Sequence, residues 1–420
     1  MELEDLDKHV SWHPFTQMGE WEPLVIASGA GCYLYDRDGR GYLDGVSSLW
    51  CNVHGHNHPV LDAALHEQLD LIAHSTYLGL AHEPGIRLAA ELLEVVPKGL
   101  ARVFFSDSGS TAVEIALKQS FQYWQLVGQS KKRRFVRFGE AYHGDTLGAV
   151  GVGGLELFHR VFGPLLVQSI AVPSPVHDSN ALAVLERVLE EHDDLAAVVM
   201  EPLIQSAGGM LVHPKGFLRN VWSLCQQYDV HLIVDEVATG FGRTGTMFAC
   251  EQEGVHPDFL CLAKGISGGY LPLAATLATA RIYDAFLGRR AELKQFFHGH
   301  TYTANPLACA VGRASLRLLR EGTLGRAQQL IPALHAAAER VGKSSHVREV
   351  RACGLMIGLD LCGLPNRMMG YEVCQLARKH GVILRPLGDV IVWMPPLILA
   401  QADIDLLERA TEAAIDACFT

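Results

Sequence analysis

Five short, predominantly apolar runs punctuate this chain: Arg102–Phe105, Arg134–Phe138, Ala196–Met200, His231–Asp235 and Phe259–Leu262. A strand with one wet face alternates polar and apolar residues. A short run that is apolar throughout has to be covered on both faces. Between several of these runs lie stretches with helical spacing, such as Leu61–Ala73, Glu83–Val96 and Thr111–Trp124. Strands alternating with helices predict an α/β fold, a mostly parallel sheet with helices on both sides. The first ~55 residues differ, being rich in aromatics and turns, and Gly31–Asp44 alternates around Asp38-Gly39 as a β-hairpin would. Beyond Pro306 the pattern predicts helices to Leu319 and over Gly325–Gly342. Strands follow near Leu355–Leu361 and Val390–Met394, with a helix between them and another at the end, which describes a separate α+β lobe. The expected division is 1–57 as an N-terminal segment, 58–310 as a large domain and 311–420 as a small α+β domain.

Composition removes several function classes. With 420 residues, 49% of them hydrophobic, the chain can bury a large core. The net charge is −11 and the longest basic run is Lys131–Arg134, so nucleic acid is not the expected partner. No apolar stretch reaches spanning length, and the acidic Met1–Asp7 opening lacks a signal-peptide core, so no membrane partner is expected. Ten cysteines without a CxxC pair suit a reducing, cytoplasmic setting. Three alternating histidines, His54, His56 and His58, have no acidic or thiol ligand close in sequence, and turn or interface roles are preferred to a metal.

The chemistry concentrates at strand ends. The Phe259–Leu262 run delivers Lys264 to a glycine-rich turn, and His231–Val234 delivers Asp235 in the same way. Alone, each reads more readily as a snorkelling lysine and a solvated strand-end acid. Together they meet the needs of pyridoxal 5′-phosphate, which takes a lysine as Schiff-base partner and an acid to keep its pyridine nitrogen protonated. Ser106–Thr111 sits between a strand and a helix. There Gly109 and Ser110 could admit a phosphate at the helix N-terminus, although a serine-rich N-cap is common. Tyr142, in Gly139–Asp145, could stack on a flat ring or cover core. Gly240–Gly245 matches G-x-G-x-x-G, but no long helix follows it. A nicotinamide dehydrogenase is therefore the weaker reading from another enzyme class. Arg385, in Val382–Asp389, is either a surface arginine or a fork that grips a carboxylate.

These segments resemble the class III, fold-type I aminotransferases from end to end, and among them the 8-amino-7-oxononanoate aminotransferases of biotin biosynthesis. The carriers are Trp12–Met18, Ser106–Ser110, Tyr142–Thr146, Asp235–Gly245, Ala263–Gly265, His298–Thr301, Asn305–Cys309 and Arg385–Gly388. The resemblance implies a large domain with a seven-stranded, mostly parallel sheet and a small α+β domain to which the N-terminal segment contributes. It implies pyridoxal 5′-phosphate bound by Lys264, Asp235, Gly109 and Ser110, with Tyr142 and Val237 on the two ring faces. Lys264 would shuttle the proton. Thr301, with His300, would reach the phosphate of the second subunit, making a homodimer with shared sites. Phe15, Leu49, Trp50, Tyr142, Gly299 and Arg385 would contact substrate, with Asp145 and Arg243 as weaker candidates for its amines and polar groups. Many members that use S-adenosylmethionine carry tyrosine at the position of Phe15 and a tryptophan pair at Leu49-Trp50. The combination here looks closer to a subgroup thought to use lysine, so the amino donor stays open between the two. An ω-amino acid:pyruvate transaminase is the alternative within the class.

Overall fold

The computed structural model describes residues 2–420. Its centre is a seven-stranded sheet. In chain order the strands are β1 (Leu100–Ser106), β2 (Arg134–Phe138), β3 (Ser169–Val172), β4 (Leu195–Met200), β5 (His231–Asp235), β6 (Phe259–Leu262) and β7 (Ala274–Thr279). They lie side by side as β1-β7-β6-β5-β4-β2-β3. From β6 across to β3 every neighbouring pair is parallel, while β7 runs antiparallel to both β6 and β1.

The lack of alternation in the sequence has the expected cause. Leu232, Val234, Leu260 and Leu262 pack into one apolar cluster, and Ile233, Phe259 and Cys261 into another on the opposite face. Side chains alternate across a strand, so both faces of β5 and β6 are fully dry. Each such aliphatic chain contributes about 1.5–3 kcal/mol relative to exposure. The helix Gly109–Leu126 covers one face, presenting Val113, Ala116 and Trp124 to the second cluster.

Two strands of this sheet escaped the sequence reading, β3 and β7. The β7 segment, Ala274-Ala-Thr-Leu-Ala-Thr279, is half alanine, a residue of weak strand preference. Pairing on both edges holds it in place.

The N-terminal segment forms the expected hairpin, Tyr33–Asp36 against Gly41–Asp44, flanked by Ile26–Ala30. Its fourth strand comes from the other end of the chain: Val382–Ile383 pairs in parallel with Leu43 and Asp44. A second small sheet, Val347–Cys353, Met356–Leu361, Val390–Trp393 and Arg385–Leu387, is wholly antiparallel. Among the described residues no helix is long and apolar enough to cross a membrane.

Candidate active site

A cavity of about 500 Å³ opens beyond the C-terminal ends of the parallel strands. This is where open α/β sheets bind ligands, because strand ends and helix N-termini converge there. The chain leaves β5 at Asp235, β4 at Glu201, β2 towards Tyr142 and β6 towards Lys264, and all four residues line the cavity. Leu49, Trp50, Gly109, Ser110, Val237, Phe15 and Arg385 line it as well.

Lys264 stands two residues beyond β6 in a left-handed conformation, φ 48°. Its Nζ lies 5.1 Å from the centroid of the Trp50 ring. Burial pulls its amine below the usual lysine pKa, and the negative charges of Asp235 and Glu201 partly oppose that pull. A buried lysine nearer neutrality is a usable nucleophile and base.

Asp235 is 4% exposed and both of its oxygens are engaged. The Val237 N–H donates to Oδ1 at 3.0 Å, and His143 Nδ1 lies 2.7 Å from Oδ2. Those contacts fix the carboxylate's orientation. Glu201, on the next strand, accepts the Tyr142 and Ser206 backbone N–H groups. Burial nevertheless pushes its carboxyl up to about 7. Tyr142 donates its hydroxyl to Asp145 at 2.7 Å, and burial followed by this bond raises the phenol pKa. Burial lowers the pKa of the Arg385 guanidinium, which faces the same cavity.

Small residues make the far end of the cavity. The helix Gly109–Leu126 opens there, with Ser108 capping the Thr111 N–H. A Cβ on Gly109 would come 2.6 Å from Val237 Cγ1, so only glycine lets the helix end and Val237 approach this closely. Gly144, at φ 119°, would drive a Cβ to 2.0 Å from Ser110 Oγ, an atom that accepts the Asp145 N–H. An anion-favouring helix end, a lysine amine and a fixed carboxylate thus border one flat space. The residues fit pyridoxal 5′-phosphate: Gly109 and Ser110 would hold its phosphate, Lys264 would bond its aldehyde carbon and Asp235 would face its ring nitrogen.

Some expected residues lie elsewhere. Arg243, expected to recognise substrate, is 1% exposed and does not line the cavity. Its guanidinium donates to the carbonyls of Pro395 at 2.5 Å and Asn52 at 3.0 Å, bracing the two ends of the chain. In this geometry Arg243 braces the chain and lies outside the cavity lining, so the substrate contact expected of it is not seen here. Gly299 and Thr301 are exposed, His300 is half-buried, and none of the three lines this chain's own cavity. His300 Nε2 lies 3.9 Å from Asp107 Oδ1, near the helix end. Gly240–Gly245 is packed against the C-terminal part, where a Cβ on Gly242 would meet Leu397 at 2.9 Å. The turn starts only the 3-10 segment Ala249–Glu253, so it offers no helix N-terminus to a dinucleotide. His54 bonds to Ser315 and His58 caps a helix, and no metal-holding cluster occurs among the described residues.

His143, Glu201 and Phe158 were missed as site residues. Glu201 carried the same signal as Asp235, an acid immediately after an apolar strand. His143 stood within a quoted motif, but its partner is 92 residues away. Phe158 gave no local signal.

The class III aminotransferase family matches residues 16–415. The adenosylmethionine-8-amino-7-oxononanoate aminotransferase of Geobacter sulfurreducens is 48% identical over 98% of this chain and 97% of its own length. This chain belongs to the class III aminotransferases. The crystal structure of the Methanocaldococcus jannaschii enzyme of the same name superimposes with a TM-score of 0.96 at 41% identity, covering 99% of this chain and 98% of that one. An amine transaminase from an uncultivated Pseudomonas species, solved in its PLP-bound form, gives a TM-score of 0.90 at 36% identity over 97% and 99%. The aminotransferase is pyridoxal-phosphate dependent. When bound, the cofactor supplies an electron sink for the carbon that loses and regains a proton. Around it, Asp235 would hold a ring-nitrogen proton by charge, and Lys264 would be the group to take and return the substrate proton.

Proposed function

We propose that this aminotransferase moves an amino group onto 8-amino-7-oxononanoate, forming 7,8-diaminononanoate for biotin, with S-adenosylmethionine as donor. The observation that carries the acceptor is Arg385, a guanidinium in the wall of the cavity, which the apolar side chains of Phe15, Leu49, Trp50 and Leu387 also line. A carboxylate at the end of an apolar chain has both of its needs met there. The relatives' names support the same substrate pair.

In this reading Arg385 orients the acceptor, Tyr142 covers the ring face, and Val237 and Gly109 set the opposite wall. Asp145, fixed by Tyr142, offers a carboxylate to a substrate ammonium. The Gly299–Thr301 loop completes the site of a second copy, so the working unit is a homodimer whose sites are shared. Residues 58–310 act as the cofactor-binding domain, and the N-terminal and C-terminal parts move substrate-contacting residues together. A cytoplasmic setting is supported by ten cysteines that are all unpaired.

A second donor, lysine, is favoured by one feature. Phe15 lacks a hydroxyl, and Leu49, 45% exposed, leaves the wall open where a larger ring would close it. The deciding experiment mixes yellow, cofactor-loaded enzyme with S-adenosylmethionine, lysine or an ω-amino acid and records which one bleaches it. The bleached enzyme is then offered 8-amino-7-oxononanoate or pyruvate. Bleaching by S-adenosylmethionine with recovery of colour on 8-amino-7-oxononanoate is the expected result. Recovery on pyruvate alone would replace the proposal with an ω-amino acid:pyruvate transaminase.

A further inference from the structure

We infer that the Ser206 hydroxyl donates a hydrogen bond to the carboxylate that Arg385 grips, and so sharpens the enzyme's preference for an acid at the far end of its substrate. Ser206 lies in the loop after β4, lines the cavity and is 1% exposed. Its backbone is fully engaged. The N–H donates to Glu201 Oε2 at 2.8 Å, and the carbonyl accepts from the Met210 N–H at 3.0 Å and the Gly209 N–H at 3.3 Å. Its hydroxyl, by contrast, has no hydrogen-bond partner among the described residues. A buried hydroxyl without a partner costs stability, and an alanine, like the neighbouring Ala207, would carry no such cost. A ligand that enters the cavity accounts for a hydroxyl kept there.

The packing of this loop decides which part of the substrate the hydroxyl meets. A Cβ built on Gly209 would lie 3.6 Å from Val390 Cγ2, and the Gly209 carbonyl accepts the Arg351 Nε–H at 3.0 Å. Val390 pairs across the antiparallel ladder with Leu387, two residues beyond Arg385. Residues two apart on a strand share a face, so Leu387 and Arg385 stand side by side, and both line the cavity. Ala207 and Leu387 also pack against one apolar cluster. Ser206 and Arg385 thus belong to one wall. Among the described residues no carboxylate is paired with the Arg385 guanidinium. A guanidinium offers donors only, a serine hydroxyl adds one more, and a carboxylate has lone pairs for both. A methylene chain has no use for either. The inference rests on the proposed acceptor and names a further residue for its carboxylate.

The test compares wild-type and Ser206→Ala holoenzymes on two matched pairs of substrates. One pair is 8-amino-7-oxononanoate and the same amino ketone with a methyl group in place of the carboxylate. The other is 6-aminohexanoate and hexylamine, used as donors. Each is measured as kcat/KM in single turnovers, or as an inhibition constant where turnover is too slow. Ser206→Ala is expected to lose about tenfold on the acid of each pair, the low end for a hydrogen bond to a charged group, and mainly through KM. On the methyl partner the loss should stay within about twofold. The unfolding midpoint should hold or rise, because the substitution removes a buried hydroxyl that no described residue satisfies. Equal losses on acid and methyl partner, or no loss on either acid, would overturn the inference. A lowered midpoint would do the same, since it would make the hydroxyl part of the fold. If 8-amino-7-oxononanoate is not turned over while Ser206→Ala still loses selectively on 6-aminohexanoate, the proposed acceptor falls and the role of Ser206 stands.

Discussion

Replacing Arg243 with methionine removes a buried guanidinium and leaves an apolar chain of similar length in its place. The carbonyls of Pro395 and Asn52 then lose charged donors at 2.5 and 3.0 Å, and the more distant Met394 carbonyl loses a weak one. Each orphaned buried carbonyl costs about 1–3 kcal/mol. Part of that loss is offset, because burying the arginine is itself costly, as its pKa, lowered to about 10, records. The net expectation is about 2–4 kcal/mol of destabilisation. Over 420 residues at about 2.1 cal/mol/K each, that lowers the apparent unfolding midpoint by only about 2–5 °C. Urea unfolding read by tryptophan fluorescence is therefore the sharper assay, with calorimetry in support. At a temperature where the variant is fully folded, kcat and KM for both substrates should stay within about twofold. A large rise in KM with an unchanged midpoint would refute this reasoning and return Arg243 to the substrate pocket.

Lys264→Ala should fold and bind cofactor yet lose turnover, and borohydride reduction of the wild type should tag the peptide carrying Lys264; a tag elsewhere would displace the assignment. Asp235→Asn should retain cofactor while losing most activity, and near-normal turnover would show that Asp235 merely caps its strand. Arg385→Ala should cost roughly 2–5 kcal/mol in the acceptor half-reaction and less in the donor half-reaction, as single-turnover kinetics would reveal. Burial raises the Glu201 carboxyl from its ordinary value of 4.5 to about 7, so folding favours its neutral form. The stability it contributes is fully present below about pH 4.5 and is lost as the pH rises through about 7. Chemical denaturation between pH 5 and 8 should show a slope that flattens in Glu201→Gln; an unchanged slope would mean that other groups carry it.

Local pattern alone was enough to place β2, β5 and β6 residue for residue, because β5 and β6 are dry on both faces and almost wholly apolar, while β2 keeps the apolar Phe135, Val136 and Phe138 beside its two arginines. It marked Lys264 and Asp235 only as a pair, since each alone reads as an ordinary strand-end charge. Gly109 and Ser110 stood out less, since a strand followed by small residues and a helix is also an ordinary serine-rich N-cap. The family resemblance added the roles. What it could not supply was distance. Arg243 sits in a motif beside Asp235, yet its guanidinium turns away to carbonyls 151 and 191 positions away in sequence, at Met394 and Asn52. The His143–Asp235 contact joins the loop after β2 to the end of β5. Phe158 meets Phe15 only because two surface segments converge on one cavity. The antiparallel β7 is a strand through its neighbours, not its composition. Local pattern determines which residues are strand, turn or charge. Which of them meet depends on sheet order and on the closing of the chain's two ends, Leu43 on Val382, and those are properties of the folded whole.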